Sequence, residues 1–239
     1  MDEAEDHSGA NQLQDYLAST RMCDHDHPWL LELASDLANS AANPTEKAIR
    51  VFRYVRDQVR FSLAHSRSRA TQTLRRGYGE CLSKTNAQVA LLRAIGIPAR
   101  FRMVKAESVV LHHLVADFVY KQMPPTASHF WTECFLDDRW VSCEAMLDQP
   151  LYQGMLVKGL ITKQQVPTID WDGKSDLIIL EPWITEALGS IASPEDAIAY
   201  LKTSDEGMPP LWIEKIIAPI FYPWNLRYSD RVRRLARSR

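Results

Sequence analysis

Hydrophobic positions in the first half of the chain recur at helical spacing in three segments. The first covers Pro28–Ala38, and the second starts at Pro44, a proline at the first helical position. The third begins at or just after Cys81 and ends before Gly96, which we expect to cap its C-terminus, with Pro98 beyond it. The three apolar stripes are Leu30, Leu31, Ala34, Leu37 and Ala38; Ala48, Val51, Phe52, Val55 and Val59; and Val89, Leu91, Leu92 and Ile95.

An alternation of apolar and polar residues follows, and it predicts strands. Ser128–Leu136 and Arg139–Glu144 flank a two-aspartate turn and form the arms of a hairpin. Ala99–Val104 and Val109–Tyr120 also have strand character. Helices followed by such strands indicate an α+β fold, in which a helical lobe packs on a small antiparallel sheet.

Composition is that of an ordinary globular protein, with 239 residues, 46% of them hydrophobic and 24% charged. The net charge of -2 gives no general attraction to nucleic acid or to a membrane surface. No apolar run approaches the roughly 18 residues of a transmembrane helix, and the acidic N-terminus is unlike a signal peptide. We expect a cytoplasmic protein in which the cysteines are free thiols; they are Cys23, Cys81, Cys134 and Cys143.

Cys81 is a candidate nucleophile, because the unpaired N–H groups and the positive dipole end of a helix start favour a thiolate. His129 begins a strand about fifty residues further on, where it shares a face with Trp131 and Glu133. A carboxylate, Glu144, lies on the next predicted strand. Cysteine, histidine and carboxylate are the parts of a thiol–imidazole–carboxylate relay.

Other histidines leave alternatives open. His112 and His113 lie on opposite faces of a regular strand, so one of them could approach the thiol in place of His129. A metal site built from these three histidines and a cysteine has poor ligand spacing. The cluster at residues 24–27, Asp-His-Asp-His, is better interpreted as a helix entry. We expect no metal ion and no cofactor.

The residues around Cys81 and His129 resemble the transglutaminase-like superfamily of papain-type thiol enzymes. The resemblance covers about residues 17–148, and it implies Cys81 as nucleophile and His129 as its base. The acid position holds Glu144, where the family usually has aspartate; Asp148 and Asp117 are the alternatives. The matching segments are Gly79-Glu80-Cys81 with Lys84, the run Leu91–Arg100, the pattern His129-x-Trp131-x-Glu133, and Trp140 followed by Glu144.

Residues 1–148 are therefore predicted to form the catalytic core, with residues 1–12 disordered, and residues 149–239 to form a mainly helical extension. The extension contains an apolar segment, Leu211–Trp224, and an arginine-rich helix, Tyr228–Arg239. In one interpretation it covers an open face of the core and its arginines are solvated. In the other it is a lid whose aromatic residues line an acyl pocket at Cys81. Its arginines would then bind an acidic partner, such as a carrier protein with its phosphopantetheine phosphate.

The implied chemistry is acyl transfer through a thioester at Cys81. An amine acceptor gives a transglutaminase or amide synthase, an internal nucleophile gives a cyclase, and water gives a peptidase, amidase or thioesterase. The substrate would be a small molecule, a peptide or a carrier-bound acyl group. A non-catalytic binding module of the same fold is the rival hypothesis, and Glu144 in place of aspartate is its support.

Overall fold

The computed structural model describes residues 13–204 and 211–237, with the side chains of residues 211–219 left aside. The prediction for residues 1–12 lies outside this part of the chain. The elements are α1 Pro28–Ala38, α2 Pro44–Gln58, β1 Arg60–Phe61, α3 Ala70–Arg76, β2 Tyr78–Gly79, α4 Cys81–Ala94, β3 Ala99–Glu107, α5 Asp117–Tyr120, β4 Thr126–Leu136, β5 Arg139–Ser142, α6 Gln149–Lys158, β6 Ile184–Ile191, α7 Pro194–Thr203 and α8 Leu211–Leu235, with short 3-10 helices at Ser108–Leu111 and Glu181–Trp183.

The predicted helices in the first half of the chain are confirmed, and local capping explains their bounds. Asn43 Oδ1 accepts the N–H of Glu46 at 2.8 Å and fixes the start of α2. At the end of α4, Gly96 has a φ of 78° and donates its N–H to Arg93 at 3.0 Å. That left-handed conformation suits glycine and stops the helix where the sequence predicts.

The central sheet has four antiparallel strands in the order β5–β4–β3–β6, and β1 pairs with β2 in a separate parallel ribbon. Asp137 and Asp138 make the β4–β5 turn with φ values of 47° and 59°, which is the backbone that tight hairpins require. Helices precede this sheet in the chain and α4 packs against β4. The predicted α+β fold, a helical lobe on a small antiparallel sheet, is confirmed.

Helix α4 lies at the centre of the core, and every residue from Leu82 to Arg93 is buried. Its polar side chains therefore bond to the backbone of neighbouring segments instead of to water. Arg93 donates to the carbonyl groups of Ala18, Ala99 and Ala192, and Asn86 donates to that of Met22. These bonds satisfy buried donors and fix α4 relative to segments that are distant in sequence.

The strand predicted over Val109–Tyr120 is wrong. Strand β3 continues to Glu107, and the chain then forms a 3-10 helix and the short helix α5. Between them His113 takes a φ of 69°, which interrupts any extended run. The N–H of Ala116 donates to the side chain of Asn225 in α8 rather than to a neighbouring strand.

The extension is mainly helical, as predicted, and it also supplies β6. This strand pairs with β3, from Phe101 opposite Ile191 to Ala106 opposite Ile184. Residues on both sides of position 148 thus belong to one sheet, and the division there stays a prediction. The two segments predicted at Leu211–Trp224 and Tyr228–Arg239 are joined in one helix, α8, which ends at Leu235.

Helix α8 is anchored by its C-terminal half. Arg233, expected in one interpretation to be solvated, is only 8% exposed and forms a 2.6 Å ion pair with Asp148. Gly154 of α6 lies so close to Val232 that a Cβ at this position would overlap the Val232 backbone. Within the described residues, no helix combines the length and apolar character needed to span a bilayer.

Candidate active site

Cys81 is the first residue of α4, and the residue before it caps that helix. Glu80 accepts the N–H groups of Leu82 and Ser83, both at 2.8 Å, and the Ser83 hydroxyl accepts the N–H of Glu80 at 3.1 Å. This reciprocal pattern is a capping box. It fixes where α4 begins and leaves Cys81 half-buried at the helix start.

One face of α4 points Cys81 toward the sheet. Cys81, Lys84, Thr85 and Gln88 are spaced i, i+3, i+4 and i+7, so they share that face. Thr85 donates to the carbonyl of Phe130 at 3.0 Å, beside His129. In the same way, Gln88 donates to Cys143 at 3.0 Å and Lys84 to Met146 at 3.1 Å, on either side of Glu144. The helix is therefore bonded to the backbone around both predicted partners of the thiol.

His129 and Glu144 form a buried pair on the sheet side. His129 Nε2 lies 2.8 Å from Glu144 Oε1, and the two residues are 5% and 1% exposed. The second carboxylate oxygen of Glu144 accepts the N–H groups of Ile179 at 2.5 Å and Leu180 at 3.1 Å. A carboxylate held in this way fixes the imidazole tautomer that carries a proton on Nε2, which leaves Nδ1 as the proton acceptor.

The surroundings of the Cys81 thiol disfavour its thiolate form. The pKa of Cys81 is raised well above its ordinary value by burial, and then by the charge and hydrogen bonding of Glu80. The Cys81 sulfur lies 3.3 Å from Glu80 Oε2. Backbone groups of Phe130 and Leu82 act in the opposite direction and are weaker. The backbone at the helix start therefore favours the thiolate, as expected, but burial and Glu80 outweigh it.

A cavity of about 420 Å³ opens beside Cys81 and His129. Its walls are mostly apolar and include Phe221 and Tyr222 of α8. The predicted nucleophile and base thus line the same cavity. A larger cleft of about 500 Å³ lies between Arg21 and Glu195, and the described residues around it include neither the thiol nor its predicted partners.

The two alternative acids lie elsewhere. Asp148 caps α6 and pairs with Arg233, which lowers the pKa of its carboxyl although burial alone would raise it. Asp117 is on α5 beside His112 and His113. Of the three predicted candidates, the acid that contacts His129 is Glu144.

His112, His113 and Asp117 form a cluster, with possible ligand atoms within 4.8 Å of one another. The two imidazole rings are stacked, with centroids 3.8 Å apart and planes 25° apart. Stacked rings direct their lone pairs side by side, whereas a metal ion needs lone pairs that converge on one point. Neither histidine joins the cavity walls beside Cys81, so the alternative bases are not brought to the thiol.

Residues 31–145 match the family model of the transglutaminase-like superfamily. The solved structure of a "putative cysteine protease" from Cytophaga hutchinsonii shares the fold, with a TM-score of 0.51 and 18% identity over 78% of this chain and 49% of that chain. A "putative protease" from Parabacteroides distasonis has a TM-score of 0.36 and 12% identity over 55% of this chain and 25% of that chain, too little to carry an argument. No curated protein matches the chain.

The matched domain contains a cysteine-bearing helix packed on an antiparallel sheet and a buried histidine–carboxylate pair. The domain at residues 31–145 belongs to the transglutaminase-like superfamily. The chain spans about half the length of the Cytophaga hutchinsonii structure.

Sequence reasoning missed two features of the site. The backbone of Ile179 and Leu180, which holds Glu144, comes from the extension, and no local signal connects it to the hairpin. The polar face of α4 was visible in the spacing of Lys84, Thr85 and Gln88 after Cys81. Residues at i+3, i+4 and i+7 from Cys81 lie on its face of the helix, so these three polar side chains indicate which face the predicted nucleophile shares.

Proposed function

We propose that this protein is a thiol enzyme that transfers an acyl group through a thioester at Cys81. His129 is the general base and acid, and Glu144 orients its ring and stabilises the imidazolium. The acyl donor is an amide or thioester carried by a small molecule, a peptide or a carrier protein. The observation that carries the proposal is the buried contact of 2.8 Å between His129 Nε2 and Glu144 Oε1 beside a helix-start cysteine.

In the first half-reaction, His129 Nδ1 takes the proton of the Cys81 thiol as the sulfur attacks the substrate carbonyl carbon. A carbon–sulfur bond forms, and the bond to the leaving nitrogen or sulfur breaks. The proton then passes from His129 to the leaving group.

Because Glu80 occupies the N–H groups of Leu82 and Ser83, we assign the Cys81 N–H as a donor to the oxyanion. Glu80 accepts hydrogen bonds here, so it does not act as a donor.

In the second half-reaction, an acceptor loses its proton to His129 and attacks the thioester carbon. The new carbon–acceptor bond replaces the carbon–sulfur bond, and the proton returns to the Cys81 sulfur. An amine or internal nucleophile completes acyl transfer, whereas water completes hydrolysis. Hydrolysis is the second candidate, because the Cytophaga hutchinsonii protein that shares this fold is called a "putative cysteine protease".

The test is intact-mass spectrometry after incubation with a panel of acyl thioesters and amides. We expect a mass increase of one acyl group in the wild type that is absent in Cys81→Ser. Rapid release of free acid without an added amine would favour hydrolysis, and release that depends on the amine would favour transfer. If no donor acylates Cys81, and all four thiols react with iodoacetamide at similar slow rates, the enzyme proposal fails in favour of a binding module.

A further inference from the structure

The cavity beside Cys81 is lined by several parts of the chain, and three of them lie outside the elements that carry Cys81, His129 and Glu144. These three parts are the loop at residues 62–69, the segment at residues 108–120 and the helix α8. Apolar side chains from all three contribute to the lining: Leu63, Val110, Leu111, Val119, Phe221 and Tyr222. The cavity is about 420 Å³ in volume, within the usual range of small-molecule sites.

The two aromatic residues of α8 are held in place by ring contacts with the other walls. Tyr222 meets His65 edge-on at a centroid distance of 5.3 Å, and Phe221 meets Phe118 at 6.4 Å. The helix itself is fixed further along by the ion pair between Arg233 and Asp148. A wall built from packed aromatic rings has a defined shape, and such a shape discriminates among apolar groups.

The acidic side chains that line the cavity are Glu80 and Glu107, and the described residues of its lining include no lysine or arginine. Arg76 lies behind this lining, near Glu80 and Tyr222. An anionic group in the cavity would meet like charges without a lysine or arginine of the lining to pair with. A neutral apolar group meets no such penalty and gains by leaving water.

We propose that this cavity binds the uncharged apolar part of the acyl donor, and that Phe221 and Tyr222 determine which acyl groups fit. This inference rests on the proposed function, because the group in the cavity must end at the Cys81 sulfur. The extension, which lies beyond the matched domain at residues 31–145, then supplies the specificity of a site whose nucleophile and base come from that domain.

Calorimetry on the full chain with Cys81→Ser measures this binding without chemistry. Octanamide is expected to bind about tenfold more tightly than octanoate. Shortening the amide from octanamide to hexanamide and butanamide is expected to weaken binding by about fourfold per methylene removed. Equal affinity for amide and carboxylate, or no dependence on chain length, would overturn the proposal.

Substitutions in the lining of the cavity test which side chains select the acyl group. Phe221→Ala is expected to weaken octanamide binding by about fivefold or more, whereas Ile220→Ala should leave it unchanged because Ile220 is 78% exposed and outside the cavity. Val119→Phe narrows the cavity from the segment at residues 108–120 and should weaken the binding of octanamide more than that of butanamide. Thermal unfolding of each variant checks folding. If both cavity variants fold and bind octanamide as the parent does, the proposal is wrong.

Labelling by an acetyl thioester distinguishes this inference from the proposed function. An acetyl group does not need the cavity, so wild-type acetylation at Cys81 tests the chemistry alone. Acetylation without any apolar preference would remove the specificity inference and leave the thiol enzyme. Octanamide binding without acylation by any thioester would remove the thiol enzyme and leave an apolar binding site.

Discussion

The sheet side and the helix side of the cavity differ in how their proposed catalytic groups are bonded. On the sheet side, His129 and Glu144 are buried and bonded to each other, and the backbone of the extension fixes the carboxylate. On the helix side, the Cys81 sulfur lies against Glu80, and the pKa of the thiol is raised. The proposed base is thus already bonded to its carboxylate partner, while the surroundings of the proposed nucleophile favour the thiol over the thiolate.

In the proposed mechanism, this difference means that the Cys81 thiol is the group that must be activated. A raised thiol pKa reduces the population of thiolate, which is the attacking species. Binding of an acyl donor in the cavity would have to separate the Cys81 sulfur from Glu80 and bring it to His129 Nδ1. The sheet side needs no such rearrangement, so substitutions on the two sides should affect activity in opposite directions.

The largest expected effect is on the sheet side. Glu144→Gln keeps the shape of the side chain but removes the charge that stabilises the imidazolium, so kcat of thioester turnover should fall by about 10³–10⁴-fold. Steady-state kinetics on the best donor from the acylation panel measures this loss. Glu144→Asp tests the length of the side chain and should retain more activity than Glu144→Gln.

Asp148→Asn is the matched control for that variant, because Asp148 is also a buried acid of the same segment but pairs with Arg233 instead of His129. It should lower stability while leaving kcat of the folded enzyme close to that of the wild type. If Asp148→Asn lost as much kcat as Glu144→Gln, the assignment of the acid would be wrong.

The sequence predicted the local parts of this site and missed those that depend on distant contacts. The helix start at Cys81, its end at Gly96 and the hairpin that carries His129 follow from capping and turn residues close by. Strand β6, Ile184–Ile191, was missed because it is a half-exposed edge strand with little alternation, and its partner β3 lies about eighty residues earlier.

The raised pKa of Cys81 was also not predicted from the sequence. The helix-start argument counts only the N–H groups and the dipole of α4, whereas burial and the adjacent Glu80 have the larger effects on the pKa of Cys81 in the folded chain. A neighbour in sequence is visible without a structure, but the direction in which its carboxylate points is not. The same holds for Phe221 and Tyr222, whose place at the cavity depends on the anchoring of α8 by Arg233.

The second prediction tests how far the extension supports the sheet side. Arg233→Met removes the partner of a buried carboxylate, so the free energy of unfolding should fall by about 3–5 kcal/mol. Urea denaturation followed by tryptophan fluorescence measures it. Arg231→Met is the control, since Arg231 is exposed and stacks on Tyr228 at the surface. Equal, small losses in both variants would mean that α8 does not anchor the fold.

The third prediction concerns the helix side. Glu80→Gln keeps an oxygen that can cap α4 but removes the negative charge beside the sulfur, so the pKa of Cys81 should fall. Alkylation by iodoacetamide near neutral pH should become about threefold to tenfold faster, since more thiolate outweighs its lower intrinsic nucleophilicity. Peptide mass mapping assigns the labelled thiol.

Glu181→Gln is the control for that experiment, because it removes an exposed carboxylate outside the cavity. It should leave the alkylation rate of Cys81 unchanged. A slower reaction in Glu80→Gln would contradict this interpretation of the raised pKa and would mean that Glu80 promotes formation of the thiolate.

The smallest expected effect belongs to Lys84, which joins the two sides by donating to the carbonyls of Val59 and Met146. Burial lowers its pKa from 10.5 to about 7. Between these values the unfolded chain binds more protons at this residue than the folded chain does, so stability rises with pH. The wild type should therefore gain about 1 kcal/mol relative to Lys84→Met between about pH 6 and 8. Urea denaturation of both proteins across that range measures the difference. Parallel pH profiles would show that Lys84 stays charged in the fold, and the two sides would then be joined by a buried ammonium.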